Sequence, residues 1–310
     1  MKASLKEVLE WAEARNCAVG AFNTPTFENV TAVVSAAEKL GTPVIVSHAE
    51  LHENEGAPLD RIGPLMIWAA ERASVPVCVF LDHGETISYV KHAVDLGFTG
   101  VMYDASLKSY EENVAGTKDV VSYAHARGVQ VEAEIGALAT REGGADGSGA
   151  PVYTDPELAR RFASETGIDA LAASFGTAHG IYKVKPKLDF DRIRRIRELT
   201  GVPLVMHGGS GVSPEDYRIA ISCGIRKINY YSRLSRIFRD NLSRIFTGPL
   251  KTLGEKYFQT VPKPVETFRP SRPGLRPKHE NRRRGGCCAA ETTRARRGST
   301  GERTFNCRNG

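Results

Sequence analysis

Along this chain, short apolar runs alternate with longer segments whose apolar residues recur every three or four positions. The first pattern suits buried strands and the second one face of a helix. Residues 5–15, apolar at 5, 8, 9 and 12, predict an opening helix. Strands are predicted at 19–22, 44–47, 77–81, 100–103, 129–135, 169–173, 203–206 and 225–228. Helices are predicted between them at about 26–40, 59–73, 86–96, 109–127, from 155, 189–199 and from 213, with a last one at about 232–246. The caps agree: Asp155-Pro156-Glu157 and Ser213-Pro214-Glu215 each set a capping side chain before Pro at the first helical position. Eight strands, each followed by a helix and with no hairpin signal, predict a (β/α)8 barrel. A doubly wound open sheet would carry a Gly-rich nucleotide turn after its first strand, and Phe22-Asn23-Thr24-Pro25 is not one.

The third strand breaks the pattern. Val77-Cys78-Val79-Phe80-Leu81 reads as buried on both faces, and Asp82-His83-Gly84 follows directly. A carboxylate and an imidazole are costly to bury without partners, so the pair is expected at the strand's exit, where the barrel opens into a pocket.

Composition changes the picture at one end only. The net charge of +6 is uneven: from 263 onward 13 Lys/Arg face 4 Asp/Glu, a balance of +9, so residues 1–262 carry −3. The Pro-, Arg- and Gly-rich text at the end lacks apolar periodicity, and such a segment cannot bury enough surface to offset its ordering entropy. We therefore divide the chain into a barrel over 1–258 and a tail over 259–310, for which disorder is expected. The six cysteines form no CxxC and no zinc-ribbon spacing; Cys78 is expected to be a small buried hydrophobe. No apolar run approaches the roughly 20 residues that span a bilayer, and a cytoplasmic location without membrane partners is expected. Nucleic-acid binding is not expected, because the basic runs lack interleaved aromatics.

In a barrel, chemistry collects at the C-terminal strand ends. These ends offer Asn23, Ser47-His48, Asp82-His83, Asp104, Glu132 and Glu134, then His179-Gly180, His207-Gly208-Gly209-Ser210-Gly211 and Asn229. Four of the eight histidines thus lie on one rim, a concentration that points to a metal held by three imidazoles with a position left open. Spacing leaves open which three of His48, His83, His179 and His207 those are. His52, His92, His125 and His279 are expected to be solvated. The glycines after His207, with Asn229 and Ser232, suit a phosphate site after the seventh and eighth strands. The loop over 136–154 is long enough to be a lid.

The motifs Leu81-Asp82-His83-Gly84, Val131-Glu132-Ala133-Glu134-Ile135-Gly136, Gly176-Thr177-Ala178-His179-Gly180 and His207-Gly208-Gly209-Ser210-Gly211 together resemble the class II, metal-dependent ketose-bisphosphate aldolases over about residues 1–246. The resemblance implies reversible cleavage of a ketose 1,6-bisphosphate, fructose- or tagatose-bisphosphate, to dihydroxyacetone phosphate and an aldehyde such as glyceraldehyde 3-phosphate. It implies a catalytic zinc on His83, His179 and His207, with Glu134 and Asp104 as nearby carboxylates and room for a monovalent cation. It makes Asp82 the acid/base at the C4 hydroxyl and Glu142 the group that moves a proton at C1. Gly180, Gly208, Gly209, Ser210, Asn229, Tyr230, Tyr231 and Ser232 become phosphate or substrate positions, Asn23 and Ser47 substrate contacts, and a homodimer or homotetramer the expected assembly. The run Asn229-Tyr230-Tyr231-Ser232-Arg233 departs from the family pattern, because Tyr231 would crowd the aldehyde half of the substrate. Three rivals are a different phosphorylated ketose as substrate, a Schiff-base enzyme using Lys183 or Lys227, and an impaired barrel whose basic tail binds phosphates or nucleic acid.

Overall fold

The computed structural model describes residues 1–54, 56–136, 153–178, 186–232 and 234–236. Eight parallel strands form the barrel: β2 (Val19–Asn23), β3 (Val44–Ala49), β4 (Val77–Gly84), β5 (Gly100–Tyr103), β6 (Gln130–Ile135), β7 (Ala170–Ala173), β8 (Leu204–Met206) and β9 (Ile225–Asn229). Each pairs with the next in sequence, and β9 closes the ring on β2 through Ala21 opposite Asn229. A two-residue strand, β1 (Lys2–Ala3), lies beside the start of β4. It occupies the edge that β5, whose pairing begins only at Phe80, leaves uncovered.

The apolar pattern sorts into two cores. Val44, Val46, Val77, Val79, Leu81, Val101 and Val131 face the helical layer, where Met66, Val90, Val120 and Phe162 meet them. The alternate residues Val19, Ala21, Ile45, Cys78, Phe80, Met102, Ala170, Ala172 and Val205 fill the interior. Strand side chains alternate between faces, which is how one continuous apolar run supplies both. Helix α1 (Leu5–Ala14) caps this inner cluster with Leu5, Val8, Leu9 and Ala12. Its start is set by a capping box, Ser4 with Glu7. Cys78 is fully buried, and burial pushes its thiol up to about 12, as expected of a small core residue.

One boundary differs from expectation in a way that matters. β4 does not end at Leu81 but runs through Asp82, His83 and Gly84, with an irregular register against β5 between Leu81 and Gly84. Within that bulge His83 adopts a left-handed backbone, φ 42°, a conformation that costs a non-glycine residue on the order of 1–2 kcal/mol. Regular alternation would send Asp82 and His83 to opposite faces; a bulge re-aims one of them. Both are buried.

Candidate active site

The C-terminal rim brings together polar groups from β2, β4, β5, β6, β8 and β9. Asp82 is held from both sides: Asn23 Nδ2 donates to Oδ2 at 3.1 Å and Asn229 Nδ2 to Oδ1 at 2.8 Å. Burial by itself would raise the pKa of Asp82. Positive charge on His83, His207 and Lys227, with the Asn23 hydrogen bond, outweighs burial and holds the carboxyl well below its usual range. Asp82 is therefore an ionised acceptor at neutral pH.

His83 and His207 meet at 2.9 Å, Nε2 to Nδ1. Behind them, His83 Nδ1 lies 2.8 Å from Asp104 Oδ2, and His207 Nε2 lies 2.9 Å from Glu132 Oε1. Ionised carboxylates only accept hydrogen bonds, so each requires a proton on the nitrogen it faces. Burial opposes ionisation of Asp104, but the hydrogen bond and charge of His83 and the hydrogen bonds from Ser106 hold its pKa well down. For Glu132 burial is likewise outweighed, by Lys227 and His207. The two remaining imidazole lone pairs then point at each other, and at this separation they repel unless a cation lies between them. Burial and the neighbouring His83 charge lower the pKa of His207, against the pull of Glu132 and Asp82, so His207 keeps a lone pair on Nδ1. The donor set fits a metal ion: two inward nitrogens, each ring braced by a carboxylate, as metal-binding histidines are.

Ligand-type atoms of Asp82, His83 and His207 lie within 4.8 Å of one another, as do those of His83, Asp104 and Glu134. His179, Gly180, Lys183 and Glu142 lie outside the described residues. After β8, Gly208 has φ 66°, and a Cβ there would sit 2.4 Å from the carbonyl oxygen of Ala178. The turn therefore packs directly on the segment before His179. Ser210 is buried beside it, and Tyr217 donates its hydroxyl proton to the Gly209 carbonyl. Gly208→Ala should lower stability by at least about 1–3 kcal/mol, because it combines a strained backbone with a clash. Thermal unfolding is the check, and an unchanged midpoint would show that the turn is not packed this tightly.

Several buried polar atoms on this rim have no hydrogen-bond partner: Ser47 Oγ, Thr177 Oγ1 and Asn229 Oδ1, with His48 Nδ1 and His52 Nε2 close by. Native proteins leave few such groups, and three of the seven found among the described residues belong to Ser47, Thr177 and Asn229 at or just past these strand ends.

A class II fructose-bisphosphate aldolase family model matches residues 3–277. The chain belongs to this family. The match extends beyond residue 258, where the change in composition placed the end of the barrel. The chain is 43% identical over 228 residues to the fructose-bisphosphate aldolase of Geobacillus stearothermophilus, covering 73% of this chain and 79% of that one. It is 42% identical over 247 residues to the 6-phospho-5-dehydro-2-deoxy-D-gluconate aldolase of Halalkalibacterium halodurans, covering 79% and 85%. Among solved structures, the YdjI aldolase of Escherichia coli K12 superposes with a TM-score of 0.72 at 32% identity, over 83% of this chain and 91% of that one. The protein is a class II aldolase, a carbon–carbon lyase of carbohydrate metabolism on a TIM barrel. No described helix is long and apolar enough to cross a membrane.

Other aldolase positions were harder to read from sequence. Asn23 and Asn229, expected to touch substrate, both spend an amide on Asp82. The ring of Tyr230 lies edge-on to Phe22 at 6.0 Å, and Phe22 packs toward the helical layer. Tyr231 stands 5.4 Å, ring to ring, from His52, and Ser232 follows it half-buried. His52 corrects an expectation: it is fully buried, not solvated, because it sits in a 3₁₀ turn (Glu50–Glu53) and accepts the backbone N–H of Ala49. Burial takes its pKa down to about 4, and that of neighbouring His48 to about 3. Lys227, weighed as a Schiff-base lysine, is fully buried and bonded to Glu132 at 2.8 Å. The signal for that pair was in the sequence: Glu132 lies two residues from Glu134, on the same face of its strand, and a strand lysine among isoleucines needs a carboxylate partner.

Proposed function

We propose that the enzyme catalyses metal-dependent, reversible aldol cleavage of a ketose 1,6-bisphosphate, fructose- or tagatose-bisphosphate. The products are dihydroxyacetone phosphate and an aldehyde such as glyceraldehyde 3-phosphate. The observation that carries the reading is the convergence of Asp82, His83 and His207 within one 4.8 Å cluster, an acceptor beside two imidazole nitrogens. His83 and His207 would hold the metal with His179, with Asp104 and Glu134 close behind. When bound, zinc supplies Lewis acidity that draws electron density from the ketose carbonyl.

Asp82 accepts the C4 hydroxyl proton as the C3–C4 bond breaks, and returns it in the synthetic direction. Asn23 and Asn229 orient its two oxygens for that transfer. Glu142 would carry the proton at C1 of the dihydroxyacetone phosphate half. The backbone at Gly180 and Gly208–Ser210, with Asn229 and Ser232, would receive a phosphate, and Ser47 offers its unpartnered hydroxyl to the substrate. Tyr231 would border the aldehyde half, with Tyr230 behind it.

Tyr231 supports a second reading, in which the aldehyde half differs and the substrate is another phosphorylated ketose. The relative named for a phosphorylated dehydro-deoxy-gluconate, at nearly the same identity as the fructose-bisphosphate aldolases, points the same way. Chelation should reduce cleavage to background and added zinc should restore it, whereas borohydride with substrate should trap nothing. Activity that survives chelation, or a borohydride-trapped lysine, would defeat the proposal. A panel of phosphorylated ketoses separates the two substrate readings by kcat/KM.

A further inference from the structure

The interior of the barrel holds an ion pair that the chemistry above does not use. Lys227 and Glu132 are both fully buried, with Nζ 2.8 Å from Oε2. The ammonium lies 4.1 Å from the centroid of the Phe80 ring, whose face attracts a cation where water is absent. The other oxygen of Glu132 faces His207 Nε2 at 2.9 Å. The three charged or polar groups thus form a line across the interior from β9 through β6 to β8.

We propose that Lys227 is a positioning residue for the metal: acting through Glu132, it holds His207 in the orientation and tautomer that turn Nδ1 inward. The proposal rests on the reading of His207 as a metal ligand. An ammonium can only donate, so it claims Oε2 and leaves Oε1 to accept from His207 Nε2–H. That acceptance keeps the proton on Nε2 and the lone pair on Nδ1, aimed at His83 Nε2 2.9 Å away. Stability alone does not explain the pair, since well-packed apolar residues usually serve a core as well as or better than a buried salt bridge. Orientation does: a carboxylate pinned at one oxygen presents the other in one direction, and carboxylates behind metal-binding histidines commonly set metal affinity.

The test uses full-length wild type, Lys227→Met, Glu132→Gln and the double variant. Zinc affinity is measured by competition with a chromophoric chelator, and the His207 tautomer by 15N NMR of the metal-free proteins. Lys227→Met should bind zinc about 10–100-fold more weakly and lose the dominance of the Nε2–H form. Glu132→Gln should do the same for a specific reason. Lys227 would take the amide oxygen and turn the NH2 onto His207, forcing the proton to Nδ1. Adding Lys227→Met to Glu132→Gln frees the amide to flip, so the double variant should bind zinc more tightly than Glu132→Gln alone. A purely structural lysine predicts no such recovery of affinity. With nothing fixing the new amide, Glu132→Gln and the double variant should bind zinc alike and differ only in thermal stability, where relief of the unpaired buried ammonium favours the double variant. Affinity within threefold of wild type for Lys227→Met, with the tautomer unchanged, overturns the proposal. Should Lys227→Met not fold, Glu132→Gln decides alone, and wild-type affinity there overturns it equally. If wild type itself binds no zinc, the reading of the metal site fails, which is a separate result.

Discussion

Replacing Asp82 with Asn is expected to lower kcat for aldol cleavage by about 10²–10⁴-fold, the range a positioned acid–base group contributes, while zinc content stays at the wild-type level. The substitution keeps the volume of the side chain and removes one acceptor. Asn23 and Asn229 both present amide donors to Asp82, so a carboxamide at 82 meets a donor with a donor on one side and one of the three must turn. Glu132 and Asp104 are not free to take its place, because they are committed to Lys227, His207 and His83. Steady-state cleavage together with metal analysis is the measurement. A kcat within tenfold of wild type would remove Asp82 from the proton transfer.

The second large effect is at His83. His83→Asn should cost at least about 100-fold in zinc affinity, more than the loss of an outer partner does, and take cleavage to background. Asparagine is the informative choice because it tolerates a left-handed backbone better than other non-glycine residues. The φ of 42° at this position therefore adds little to its cost, and thermal stability of the metal-free protein should stay near wild type. The two readouts separate loss of the imidazole from loss of the fold. Zinc bound stoichiometrically by His83→Asn would exclude His83 as a ligand.

Much of the architecture was legible in the chain. Strand period and helix period need only near neighbours to be recognised, so the eight strands emerged in the right order and within a few residues of their observed bounds. Runs such as Val44-Ile45-Val46 and Val77 to Leu81 announced strands covered on both sides, which is what a barrel with an outer helical layer requires. The histidines and carboxylates at strand ends were visible for a related reason: a polar group after a buried run has few places to be except the rim.

What the chain alone left open depended on groups distant in sequence. Asp82 and His83 were expected beyond the strand, and the structure keeps them within it, aimed by a bulge that no local pattern announces. Asn23 and Asn229 read as substrate contacts, and only closure of β9 on β2 shows that each also holds Asp82, one on either side. His52 read as solvated because its short turn has no apolar period, yet packing beside His48 and Tyr231 buries it. Glu132 and Lys227, 95 residues apart, each call for an opposite charge within a buried strand, but only closure of the barrel makes each the other's partner. Sequence by itself determined the elements, their order and the kinds of group at the rim, because periodicity and burial act over a few residues. Tertiary structure decided which oxygen faces which nitrogen, because hydrogen bonds and buried charges find their partners only when the ring of strands is complete.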